Sequence, residues 1–249
     1  MEKRTEKNSY TILFAIGMVI VVGSLLAFVA SSLRPKIDEN KRIEKQQNIL
    51  YAMGVNENEE GSVAFIADNE VETEFAKYIK KQLVITNGTD TRENDQAYLI
   101  DVKKEQSQAK EGKERQLPLF VGEKEGKTFY IAPIRGKGLW DAVWGYVAMD
   151  ENMVIQGAYF DHKGETAGLG ANIKERFFMD DFTGEHLLNT SGKFVGVNIS
   201  KSNADPLNND KTDNEVDAIA GATITGDGVA AMIKSELKLY VPYFNTLKN

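Results

Sequence analysis

The hydrophobic pattern changes character along the 249-residue chain. From Asn8 to Leu33 no residue is charged, and Tyr10 to Ala30 is almost wholly apolar, about the 20 residues that a helix needs to cross a hydrocarbon core. This predicts a single transmembrane helix at 10–33 behind a short tail at 1–9. A cleaved signal peptide is the rival reading, because Ala27-Phe28-Val29-Ala30-Ser31 imitates a cleavage site. A signal's apolar core runs only about 7 to 15 residues, however, so the length favours an anchor. Pro35 is expected to break the chain away from this helix. Ile43, Ile49, Leu50 and Met53 are then spaced for a short amphipathic helix within Ile37 to Met53. Val71, Phe75, Tyr78, Ile79 and Leu83 repeat that spacing over Glu70 to Leu83, a stripe read as core packing. Lys103 to Gln116 has no apolar period and reads as a solvated loop or hairpin tip.

Further on, the extended segments Thr128 to Pro133, Val143 to Met149 and Met153 to Phe160 follow, the last two separated by the turn Asp150-Glu151-Asn152. Phe194 to Ile199 alternates like another strand. Val229, Met232, Ile233, Leu237 and Tyr240 return to helical spacing, with Lys234, Glu236 and Lys238 off the stripe, so a helix is expected from about Asp227. The sum is an α+β protein: one N-terminal transmembrane helix, a membrane-proximal α/β part at 34–120, and a domain at 121–249 with an antiparallel sheet and flanking helices.

Composition narrows the function. The formal charge of -7, with no basic stripe carrying interleaved aromatics, argues against nucleic acid. The absence of cysteine excludes disulfides, thiolate zinc, cysteine-ligated iron–sulfur clusters and a cysteinyl flavin thioether in this chain. His162 and His186 are too few for a histidine-rich metal centre; His162 reads as structural and His186 as surface or helix-end. Asn203 to Glu215 is rich in Asn and Asp but lacks the glycine and glutamate of a calcium loop, so no metal site is expected there. Charge also bears on orientation. Lys3, Arg4 and Lys7 precede the apolar helix, while Arg34, Lys36, Lys41, Arg42 and Lys45 follow it, which leans toward a cytoplasmic C-terminal part.

The candidate chemistry lies in three small-residue segments. Gly221-Ala222-Thr223-Ile224-Thr225-Gly226-Asp227-Gly228 lets a ligand approach the backbone closely, just before a helix whose N–H groups and dipole favour a phosphodiester. A plain turn and cap, with Thr225 or Asp227 capping, fits the same residues. Gly164 to Gly170 alone is a strand-to-helix loop. Trp144, inside a strand, reads as core; Trp140 in Gly136-Lys137-Gly138-Leu139-Trp140-Asp141 serves either packing or the shielding of a flat ring.

Asp217-Ala218-Ile219-Ala220-Gly221-Ala222-Thr223 is similar to the flavinylation motif of FMN-binding domains in bacterial respiratory complexes: Asp, two variable residues, Ser or Thr, Gly, Ala, Thr. Ala220 departs from the usual Ser or Thr. The resemblance implies that Thr223 carries FMN through a phosphoester, with Gly221, Ala222 and Thr225 around it, Thr225 being the lesser acceptor. It implies also that Asp217 serves a flavin transferase that cleaves FAD and releases AMP. Glu165-Thr166-Ala167-Gly168-Leu169-Gly170 resembles the Glu-Thr-Pro-Gly-Leu-Gly loop of that family with Ala167 in place of proline, and the turn bearing Leu139 and Trp140 stands where related domains place a loop beside the isoalloxazine.

One anchor, about 220 further residues and a motif near the end resemble the C subunits of sodium-translocating NADH:quinone reductases. The G subunits of Rnf complexes share anchor and motif but are shorter, so Glu70 to Arg115 favours the first family. The resemblance implies an electron carrier in the bacterial inner membrane, its covalent FMN taking electrons from an iron–sulfur centre elsewhere in the complex and passing them to another flavin subunit. Its implied partners are the other subunits, the membrane and the transferase, with the FMN domain periplasmic, against the charge count. A non-redox membrane-anchored scaffold is the alternative from another class.

Overall fold

A computed structural model of the chain describes residues 8–59, 61–201, 205 and 207–248. The tail through residue 7, and positions 203, 204 and 206 of the Asn/Asp-rich stretch, lie outside these. Two units divide the chain, Met1–Arg42 and Ile43–Asn249. Helix α1 (Asn8–Ala52) is long and apolar enough to cross a membrane. It does not stop at Pro35, contrary to the expected break. Proline removes one N–H bond, a cost of about 3 kcal/mol, and here a regular helix continues on both sides of it. The expected separate helix at 37–53 is therefore the end of α1, and its last residues Ile49, Leu50, Tyr51 and Ala52 are buried.

In the second unit, strands β1 (Ile79–Thr86), β2 (Asp90–Glu93), β3 (Leu117–Lys124), β4 (Lys127–Lys137), β5 (Ala142–Met149) and β6 (Ile155–His162) form one antiparallel sheet in the order β2-β1-β3-β4-β5-β6. The sheet takes strands from both sides of position 120. Alternation sends Gly122, Gly157 and Tyr159 to one face, where Met53, the Ala52 carbonyl and Tyr51 meet them. The opposite face carries Tyr130, Gly136 and Phe160. Phe244, Met232 and the Phe178–Phe182 pair cover it. Burial on both faces explains why β5 reads as a continuous apolar run, with seven of its eight residues buried.

Four local expectations change. Glu70 to Leu83 is not one helix: α2 (Val71–Tyr78) gives way to β1 at Ile79, because Leu83, Val84 and Ile85 are buried consecutively as a central strand requires. Lys103 to Gln116 is not a loop throughout, since α3 occupies Val102–Lys110. Its Asp101 cap accepts the Lys104 N–H at 3.2 Å, Lys, Glu and Gln favour helix, and Gly112, at φ +79°, follows its end. A helix polar on nearly every side carries no period to find. Within Phe194 to Ile199 only the end is a strand, β7 (Asn198–Ser200), parallel to β8 (Glu215–Asp217). Gly196, at φ +72°, interrupts the extended run. Helix α5 (Thr223–Leu237) starts four residues before Asp227. Its first turn keeps Gly226 because a Cβ there would press to 3.2 Å from Ile199. Beyond these lie α4 (Arg176–Met179) and α6 (Val241–Leu247).

Candidate flavin site

Antiparallel pairing fixes where the site can be. The register pairs Lys137 with Ala142 and Val143 with His162, so the end of β4, the start of β5 and the end of β6 share one edge. The turn 138–141 and the loop 163–170 leave the sheet side by side, and α5 brings its N-terminus to them. Their junction is a cleft of about 240 Å³ lined by Leu139, Glu165, Thr166, Leu169, Gly170 and the run Gly221 to Thr225.

Glu165 is the centre of this junction. Its side chain is only 7% exposed. Thr225 Oγ1 donates to its Oε2 at 2.6 Å, and the N–H groups of Trp140 and Asp141 donate to Oε1 at 3.0 and 3.4 Å. Burial favours the neutral acid, but the donors from Thr225, Trp140, Asp141 and Leu139 outweigh it and hold the carboxyl below the usual glutamate range. The space is made by glycines: a Cβ on Gly138 would lie 2.5 Å from Oε1, and one on Gly170 would lie 2.4 Å from Thr225 Oγ1. Behind the carboxylate, the Glu165 N–H donates to His162 Nδ1 at 3.2 Å. His162 is thus a structural acceptor. His186 is half-buried in an isolated antiparallel bridge to Val154, not at a helix end.

Thr223 is the first residue of α5 and is exposed. Its hydroxyl has no hydrogen-bond partner among the described residues. The helical ladder begins with the Gly226 N–H on the Ala222 carbonyl at 2.9 Å, which leaves the N–H groups of Thr223, Ile224 and Thr225 ahead of it. No acidic residue occupies this first turn. Gly221, at φ +74°, turns the chain into the helix in a conformation that disfavours a side chain. An anionic group beside Thr223 therefore meets N–H donors and no acidic side chain of the helix's own first turn.

The rim is apolar and open. Leu139, Leu169 and Ile224 are each about half-exposed, and Trp140 is 66% exposed. Trp140 Nε1 donates to Thr166 Oγ1 at 3.2 Å, which fastens the indole to the loop beside the cleft. Trp140 and Gly168 stand next to the cleft and do not line it. Ile224 is a wall residue to which the motif does not point; its signal in the sequence is an isoleucine next to the motif threonine in a helix's first turn. Trp144 is half-buried on β5.

Asp217 stands apart from the cleft, at the end of β8. Its N–H donates to Asp181 Oδ2 at 3.2 Å, and burial, with Asp181 and Asp205 nearby, pushes its carboxyl above the usual range. The same region contains Glu185, fully buried, which accepts from Asn208 at 3.1 Å and lies 3.7 Å from Lys211 Nζ. Burial raises its carboxyl to about 7. Glu185 thus pins the segment that leads into β8 and the motif.

A family model for the FMN-binding domain matches residues 138–238, which contain all three segments of the site beyond Lys137. The C subunit of the Na+-translocating NADH-quinone reductase of Pseudomonas aeruginosa is 29% identical over 90% of this chain and 89% of its own length. That of Neisseria meningitidis is 26% identical over 100% and 98%. The crystal structure of the corresponding C subunit from Parabacteroides distasonis superposes with a TM-score of 0.71 at 34% identity, covering 85% of this chain and 96% of the other. With a relative so similar over nearly its whole length, and with the fold and motif segments in place, the chain belongs to the family of C subunits of Na+-translocating NADH-quinone reductases.

Proposed function

We propose that the chain is the FMN-bearing electron carrier of a Na+-translocating NADH-quinone reductase, with the flavin joined to Thr223 Oγ1 by a phosphoester. The observation that carries this reading is the unpartnered Thr223 hydroxyl at the start of α5, on the cleft that Leu139, Leu169 and Ile224 wall with apolar surface. The residues fit the group. The N–H groups at the head of α5 suit a phosphodiester, Gly170 and Gly221 let the backbone come close, and Trp140 offers a face to a flat heterocycle. FMN supplies the redox chemistry; the chain binds it, orients it and sets its electrostatic surroundings. Attachment is the work of a flavin transferase acting on FAD. The threonine oxygen forms a bond to the FMN phosphorus, the pyrophosphate bond breaks, AMP leaves, and the hydroxyl proton passes to solvent or a base of the transferase. Asp217, outside the cleft, belongs to the surface that this enzyme reads.

Electrons come from an iron–sulfur centre elsewhere in the complex and go to another flavin subunit. Co-expression with a flavin transferase, followed by denaturing electrophoresis, is expected to give a fluorescent band at the mass of the chain. A band without fluorescence would sink the carrier reading and leave a membrane-anchored scaffold.

The anchor is α1, and the FMN domain, 121–249, stands on the periplasmic side of the inner membrane, as in the family. The cations after the apolar stretch oppose this by simple counting, but a long translocated domain weakens the rule. Protease added outside spheroplasts is expected to digest the domain; digestion only after lysis reverses the assignment.

A further inference from the structure

Resting on the flavin reading above, we propose that Glu165 is a positioning residue for the bound flavin: its carboxylate ties the three walls of the cleft together and places a fixed negative charge against the ring, holding the reduction potential down.

The tie is geometric. One oxygen takes the Thr225 hydroxyl from α5, and the other takes the Trp140 and Asp141 N–H groups from the turn between β4 and β5. The carboxylate belongs to the third wall, the loop 163–170. A single side chain thereby sets the separation of the helix that bears Thr223 from both loops that face it. Gly138 and Gly170 are small where this carboxylate must fit: a Cβ on either would lie within 2.8 Å of a Glu165 oxygen.

The charge has an unusual setting. Among the described residues no lysine, arginine or histidine forms an ion pair with Glu165, which is held by neutral donors alone. Lys163, two residues away on the same loop, is committed to Asp141 at 2.9 Å. A charge with little water and no counterion acts over a longer range than a screened surface charge. Glu165 also lines the cleft itself. Each electron that a flavin accepts adds negative charge to its ring, and a fixed anion at the wall opposes that addition.

Two substitutions separate tie from charge. Glu165→Gln is isosteric. Its carbonyl oxygen takes the two N–H groups, and its amide donates to Thr225 Oγ1, so the tie survives without the charge. Glu165→Ala loses both. In the flavin-loaded full chain, spectroelectrochemical titration of E165Q is expected to give a midpoint potential more positive than that of the native chain. E165A is expected to load only a small fraction of the flavin that the native chain loads. The flavin-free chain supplies a second readout. Because the folded-state carboxyl titrates below its unfolded value, its stabilising contribution is present above the ordinary glutamate range and is lost as pH falls through the folded value. Melting of the native chain should therefore decline toward acid more steeply than melting of E165Q. An unchanged potential in loaded E165Q overturns the proposal, as do identical acid profiles for the two flavin-free chains. If even the native chain carries no flavin, the carrier reading fails, while the acid profiles still decide whether Glu165 is the tie.

Discussion

Thr223→Val is expected to abolish covalent flavin fluorescence completely while leaving the fold as stable as the native chain. Thr223 is exposed at the first position of α5, and its hydroxyl makes no hydrogen bond among the described residues. Valine in that place changes stability by no more than about 0.5 kcal/mol. Thr225, two residues on, should behave oppositely. It is 1% exposed and donates to Glu165 at 2.6 Å. Thr225→Val leaves a buried carboxylate oxygen without its donor, at about 1–3 kcal/mol, yet Thr223 remains available for labelling. In-gel fluorescence and thermal melting of the two variants side by side give the test. A labelled T223V shows that Thr223 is the wrong acceptor, and an unlabelled T225V that melts like the native chain transfers the role to Thr225.

The contrast between these two threonines shows where sequence reading ends. The motif picks out Thr223 as a chemical position, and the apolar stripe from Val229 onward picks out the helix. Neither says that Thr225 points inward to a glutamate sixty residues earlier, because a partner at that separation leaves no local period. Glu165 was legible as part of a glycine loop, but its bonds to the Trp140 and Asp141 N–H groups arise from β4, β5 and β6 pairing in register. The missed strands have a simpler cause. Asn87-Gly88 and Glu125-Gly126 all have positive φ and close the β1–β2 and β3–β4 hairpins. Asn-Gly is a strong hairpin signal, but the apolar spacing of Val71, Phe75, Ile79 and Leu83 fits a helix that takes up the residues of the first strand before the turn is reached. Tertiary burial of Leu83 to Ile85 settles the competition in favour of a strand. The end of α1 is a similar case. Pro35 is a helix breaker by local chemistry, and only the continuous helix, with its last turn buried against Gly157 and Tyr159, makes it an interior proline.

Arg115→Ala is expected to destabilise the second unit strongly. Arg115 lies between α3 and β3, and its guanidinium grips the carboxylate of Glu236, near the C-terminal end of α5, through both terminal nitrogens; the Nη1 to Oε1 bond is 3.2 Å. Glu236 is only 5% exposed. Close by, the Tyr240 hydroxyl donates to the Pro118 carbonyl at 2.9 Å, so the pair belongs to a seam that fastens the end of α5 to the strand entering the sheet. Removing the arginine strands a buried charge, which costs about 3–5 kcal/mol and, in a domain of this size, lowers the melting temperature by roughly 10 °C. Replacing both partners by apolar residues of similar volume, Arg115→Met with Glu236→Leu, removes the stranded charge and should restore most of the loss. Single and double variants that melt together would show that the pair is not the fastening. Glu236 follows Thr223 by about 20 Å of helix, so Arg115→Ala should still take up flavin at Thr223 in the folded fraction. The helix that begins at Thr223 is thus secured at one end by a charge pair and at the other by Glu165, and each end can be cut without the other.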